Sequence, residues 1–108
     1  VCRQLCGQPD FPDAVFCVND LCALGFMNEA ERHGLSAGKD FALAGIDDMD
    51  FSSMERISLT TIRQPYEELA RHAVAVLNTL MDGGTPLPRR IMLKQQLIIR
   101  NTTLHYNP

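Results

Sequence analysis

Two unbroken apolar runs dominate the first half of the chain, "AVFCV" at residues 14–18 and "FALAGI" at residues 41–46. Neither alternates with polar residues, and continuous runs of strand length belong to strands covered on both faces, as in a parallel sheet. The breaker "QPDFPD" precedes the first run. Between the two, Asn19 and Asp20 offer helix N-caps, and Leu21, Leu24, Met27 and Ala30 recur at helical spacing. Gly34 predicts a left-handed C-cap, with His33 well placed at the negative end of the helix dipole. Strand, helix and strand in this span predict a right-handed βαβ unit.

The second half changes character. "ISLTTI" at residues 57–62 is rich in β-formers, and Thr60 and Thr61 suit a strand. "RQPYEELARHAVAVLNTLMDGG" predicts a helix over 65–82. Pro65 fits its first position, Glu67 and Glu68 oppose the positive dipole end, and Gly83 and Gly84 stop it. Leu69, Ala73, Val76, Leu77 and Leu80 form its apolar stripe, which predicts a buried face. "TPLP" breaks the chain before a last strand, "RIMLKQQLIIR", at residues 90–100. The order β-α-β-β-α-β places the chain in the α/β class.

Composition narrows the field. The chain has 108 residues, 45% hydrophobic and 21% charged, which fits one small globular domain. Its net charge of -3, with no basic cluster beyond Arg89 and Arg90, argues against a nucleic-acid surface. No apolar segment approaches the length of about 18 residues that a spanning helix needs, and no leader peptide is visible. The chain opens on Val1 rather than Met and reads as a piece of something longer. Cys2, Cys6, Cys17 and Cys22 lack zinc-type spacing, and His33, His72 and His105 are scattered. Reduced structural thiols in a cytosolic protein, with no metal and no cofactor, are the expectation.

Three polar groups follow the predicted strands: Asn19 the first, Asp47 the second and Gln64 the third. Ligands of open parallel sheets bind beyond the carboxyl ends of the strands. Amides and a carboxylate there offer directed donors and acceptors for the vicinal hydroxyls of a sugar or the edge of a base. The plainer alternatives are a helix cap, a solvated loop acid and a helix-entry residue. Asp47, Asp48 and Asp50 form an acidic cluster that could hold Mg²⁺ in a phosphorelay receiver. The other strand ends lack the aspartate and lysine such a receiver needs. No P-loop, dinucleotide motif or Ser-His-Asp spacing appears, so no catalytic residue is assigned and the chain does not read as an enzyme.

"PDAVFCVNDLCALGFMNEAERHGL", "AGIDDMDFS" and "LTTIRQPYEELARHAVAVL" resemble, in order and spacing, the C-terminal third of LacI/GalR-type bacterial transcriptional regulators. The resemblance covers residues 12–101. It implies a parallel-sheet βαβ fragment of a type I periplasmic-binding-protein-like domain, whose two α/β lobes clamp a small sugar-like or purine-like effector. It puts Asn19, Asp47 and Gln64 on effector-contacting positions. Leu24 matches a position at the side-by-side homodimer contact, with plain core packing as the alternative. Asp48 and Asp50 are expected to order their loop through side-chain-to-backbone bonds. Residues 1–64 would belong to one lobe and 65–100 to the other, leaving the apolar stripe of the second helix without a partner in the chain. Operator DNA would be met only through an N-terminal helix-turn-helix head that is not in this sequence. Ile57 and Ser58 stand where the family commonly has a Pro-Pro pair, which puts the preceding loop in doubt. The upstream arginine and aspartate contacts of the family are likewise missing. A cytoplasmic repressor fragment is the favoured reading; a periplasmic sugar-binding protein is its rival.

Overall fold

The structure, a computed structural model, describes residues 2–8 and 10–104, so His105 lies outside the described residues. The elements in chain order are α1 (Cys2–Cys6), β1 (Ala14–Phe16), α2 (Asp20–Arg32), β2 (Ala42–Asp47), a 3-10 turn (Asp50–Ser53), β3 (Thr60–Arg63), α3 (Tyr66–Met81), β4 (Gln96–Ile98) and α4 (Asn101–Leu104). They form two compact units, one built from the chain up to residue 63 and again from residue 96, the other from residues 64–95.

The first unit is the α/β body. Its sheet has the order β1-β2-β3-β4. β1, β2 and β3 run parallel, with Ala14 opposite Ala42 and Asp47 opposite Arg63. β4 runs antiparallel to β3, with Thr61 opposite Ile98. The long final strand expected over 90–100 shrinks to Gln96–Ile98 and returns to β3, whereas the sequence reading carried it away with the preceding helix. The apolar run "IML" alone could not reveal which segment takes the sheet edge, because strand partners are decided by tertiary pairing.

One face of the sheet is sealed by α2, and Ala23, Phe26, Met27 and Ala30 of that helix meet Phe41, Leu43, Leu59 and Cys17. The buried face thus runs through Ala23 and Phe26; Leu21 is exposed and Leu24 half-buried, a rotation from the expected stripe. Phe41 sits edge-on to Phe11 and Phe26, with ring centroids 5.2 and 5.7 Å away. Such tilted ring pairs add about 1 kcal/mol to simple burial. The other face is open: Ala42, Ala44 and Ile46 are half-buried and Phe16 is 62% exposed. Cover on both faces, inferred from the continuous runs, is not supplied by the described residues. Cys17 is buried, which pushes its thiol pKa up, while Cys22 is exposed and plays no core part.

The segment after β4 stitches the start of the sheet. Thr102 Oγ1 accepts from Thr60 N at 2.8 Å and donates to the Leu43 carbonyl at 2.7 Å, bridging β2 and β3. Gly38, at φ 81°, lies so close that a Cβ there would overlap the Asn101 carbonyl.

The second unit carries α3, which begins after Pro65 as N-cap and stops at Asp82 before Gly83, at φ 73°. No residue of α3 is buried. Leu69, Leu77 and Leu80 of the predicted stripe are each more than half exposed, so that face is apolar but uncovered. Val76 and His72 are half-buried and line a shallow cavity of about 260 Å³ with Pro88, Ile91 and Leu93 of the same unit.

At the other end of the sheet, Asp48 ties three segments together. Its carboxylate accepts from Arg63 Nε at 2.6 Å, at the end of β3, and from Arg100 Nη2 at 2.6 Å, just beyond β4. Arg100 also donates from Nη1 to the Leu59 carbonyl at 2.8 Å. Asp48 was expected to bond backbone; it pairs with guanidinium groups instead. Burial works against its ionisation, but the hydrogen bonds and charges of Arg100 and Arg63 outweigh burial and hold the carboxyl below the usual range.

Asp48→Asn is therefore expected to lower the unfolding free energy of the protein by about 2 kcal/mol at neutral pH, measured by urea denaturation. A depressed folded-state pKa contributes stability above the ordinary carboxylate value and loses it as pH falls through the folded one. The gap between wild type and Asp48→Asn should close below about pH 4; a gap that stays constant into acid would refute the pairing. Gly38→Ala should cost more than about 2 kcal/mol, since it adds a backbone clash to an unfavourable φ. A thermal midpoint unchanged by that substitution would show that the loop and α4 do not meet as described.

Candidate functional site

The parallel strands end together on the side where β2 stops at Asp47. Beyond β1, Cys17 N still donates to the Ala44 carbonyl at 2.8 Å, and the chain then turns into α2. Asn19 performs that turn. It is extended at φ -157° and its Oδ1 accepts from Cys22 N at 2.8 Å. The cap engages the amide oxygen, so what Asn19 can offer a ligand is the N–H pair of the same amide. Cap and ligand contact are compatible roles for one side chain.

Asp47 closes β2 with φ 120° and Asp48 follows at φ 54°, two consecutive non-glycine residues in the left-handed half of backbone space. Residues held there cost roughly 1–3 kcal/mol each, and asparagine and aspartate tolerate it best. That pair of angles reverses the chain at the strand end and leads into the 3-10 turn. Asp47 is half-buried.

The turn is held from beneath by a residue that sequence reasoning took only for a cap. Asp20, fully buried, accepts from Met49 N at 2.9 Å and Ser52 Oγ at 2.6 Å through Oδ2, and from Thr61 Oγ1 at 2.5 Å through Oδ1. Thr61 Oγ1 in turn accepts from Asp48 N at 3.3 Å. The legible signal was Gly45, a glycine inside an apolar strand, which marks the close approach of another group. Asp50, expected to order the loop through its side chain, instead receives the Ser53 hydroxyl on its backbone carbonyl at 2.8 Å.

The structure thus puts Asn19 and Asp47 at the ends of neighbouring strands in one unit. Gln64 opens the second unit, where its Oε1 accepts from Gln95 Nε2 at 3.4 Å and its carbonyl accepts from Tyr66 N at 2.9 Å. The two residues that start and end that unit are in this way paired with each other. Leu24 lies elsewhere on the first unit, on the wall of an open groove of about 580 Å³ with Met27, Asn28, Met54 and Ile57. Asn19 and Asp47 place amide N–H donors and a carboxylate at neighbouring strand ends, a donor and acceptor set suited to hydroxyls and without a nucleophile-base pair. Among the described residues, no group of three His, Cys, Asp or Glu side chains could hold a metal ion, and no helix is long and apolar enough to cross a membrane.

Comparison with known proteins agrees with this architecture. Residues 2–103 match the family described as Periplasmic binding protein-like domain. The chain is 37% identical over 101 residues to the HTH-type transcriptional repressor CytR of Escherichia coli K12, spanning 94% of this chain and 30% of that protein. Among solved structures it is similar to the Lac repressor dimer bound to operator and the anti-inducer ONPF, with TM-score 0.78, 33% identity, and cover of 95% of this chain and 36% of that one. It is also similar to a periplasmic binding protein/LacI transcriptional regulator from Alkaliphilus metalliredigens complexed with D-xylulofuranose, with TM-score 0.77, 30% identity, and cover of 85% and 35%. The chain spans about a third of the length of such relatives, which are regulators rather than enzymes. On this match and this fold, the chain belongs to the periplasmic-binding-protein-like family, and over nearly its whole length it is similar to part of LacI-type transcriptional repressors.

Proposed function

We propose that this chain is the effector-sensing portion of a cytoplasmic repressor, and that Asn19 and Asp47 bind a small polyhydroxylated ligand of the furanose type, free or as part of a nucleoside. The observation that carries the reading is the pairing of an amide and a carboxylate at neighbouring carboxyl ends of a parallel sheet. A carboxylate accepts from two adjacent hydroxyls at once, which a single neutral acceptor does less well. The D-xylulofuranose held by the Alkaliphilus relative is a ligand of this chemistry. DNA binding would reside in a head outside this sequence, whose net charge of -3 gives it no phosphate-binding surface of its own. Homodimerisation would use the groove wall around Leu24.

Asp47→Ala in the full-length protein is expected to weaken ligand binding by about 1.5–3 kcal/mol, the scale of hydrogen bonds to a charged group. Calorimetry with D-xylulose, D-ribose, adenosine and uridine checks this, and unchanged affinity for whichever probe binds would reject the assignment. Leu24→Ala should weaken the dimer about tenfold while leaving circular dichroism intact, read by sedimentation equilibrium. Loss of folding at every concentration would mean instead that Leu24 serves the core.

A further inference from the structure

We infer that Asp20 is the positioning residue of the ligand-facing turn: it does not meet the ligand, but it sets where Asp47 is held. The inference rests on the reading of Asp47 as a ligand contact.

The geometry of donors around Asp20 carries the argument. Its carboxylate is fully buried, and all three of its hydrogen bonds come from the loop and strand that flank Asp47 rather than from its own helix. Met49 N lies two residues after Asp47 and is held directly at 2.9 Å. Asp48 N is held at one remove, through Thr61. A hydroxyl has one proton and two lone pairs. Because Thr61 gives that proton to Asp20, its lone pairs are what Asp48 N meets. A carboxylate, having no proton to donate, forces this direction; an asparagine amide facing Thr61 would not.

The backbone gives the hold a purpose. Asp47 and Asp48 stand at φ 120° and 54°, conformations that persist where surrounding bonds over-determine them. The two amides that follow Asp47 are the ones Asp20 fixes, so releasing Asp20 frees the turn to relax toward ordinary angles and carries the Asp47 carboxylate with it. Gly45 completes the arrangement from β2. A Cβ at that position would overlap Asp20 Oδ1, so the glycine is what lets the carboxylate lie against the strand.

The test separates positioning from stability and from the ligand reading itself. In the full-length protein, Asp20→Asn and Thr61→Val remove the directed hydroxyl, whereas Thr61→Ser keeps it. With D-xylulose, D-ribose, adenosine and uridine as probes, Asp20→Asn and Thr61→Val should weaken the bound probe about tenfold, and Thr61→Ser should bind within about twofold of wild type. Amide hydrogen exchange in residues 47–53 should accelerate in the first two variants and not in the serine variant. Gly45→Ala should reproduce the faster exchange by displacing Asp20. Wild-type affinity together with wild-type exchange in Asp20→Asn and Thr61→Val would overturn the inference. Asp47→Asn serves as the control: if it too binds normally, or no probe binds, the ligand assignment is what has failed, and the exchange data alone decide whether Asp20 holds the turn. If Asp20→Asn does not fold, the contrast between Thr61→Val and Thr61→Ser decides the matter.

Discussion

The sheet of the first unit depends on one ion-paired carboxylate that ties the ends of β2 and β3 to the chain returning after β4. Parallel strands cannot be closed by tight turns, so their ends are held by whatever crosses between them. Asp48 supplies that crossing for β2, β3 and the segment after β4. The contribution is unequal between its partners. Arg100 has only 15% of its side chain exposed and also caps the Leu59 carbonyl, so its charge is little screened. Arg63 is 53% exposed and stands where the chain departs for the second unit, so solvent weakens its share. The less screened pair therefore holds the returning chain and the more exposed one the departing chain.

Asp20 and Asp48 divide the labour around one turn. Asp48 engages side chains from other segments, while Asp20 engages the backbone and hydroxyls of the loop itself. Asp48 turns toward the guanidinium groups while Asp20 lies under the loop, so each carboxylate has its own set of partners. The buried Asp20 carboxylate accepts three hydrogen bonds, which avoids the cost of an orphaned polar group.

How much of this was legible follows from which forces are local. The β-α-β opening, the caps at Asn19 and Gly34 and the stop at Gly83 were readable, because apolar runs and capping act between near neighbours. Asn19 and Asp47 were placed at strand ends by the same logic, and the structure keeps them there. The fate of β4 was not readable, since three residues of an apolar stretch can join either sheet edge. The stripe of α3 was correctly apolar, yet burial needs a partner surface, and Leu69, Leu77 and Leu80 each stay more than half exposed. Asp20 was hidden for a different reason: its partners Met49, Ser52 and Thr61 lie 29 to 41 residues away. Only Gly45 hinted at it, and a glycine announces a close approach without saying what approaches.

The groove beside α2 is built from the same two segments as the site. α2 starts at Asp20, directly after Asn19, and carries Leu24 and Met27 one to two turns on. The loop that starts at Asp47 supplies Met54 and Ile57 to the opposite wall. Asp20 links the two segments near their beginnings, through Met49 and Ser52. The 3-10 turn from Asp50 to Ser53 is anchored at Ser52 and leads on to the groove wall at Met54 and Ile57. The route from strand end to groove is one short turn long, and Asp20 is the point at which both halves of it are fastened.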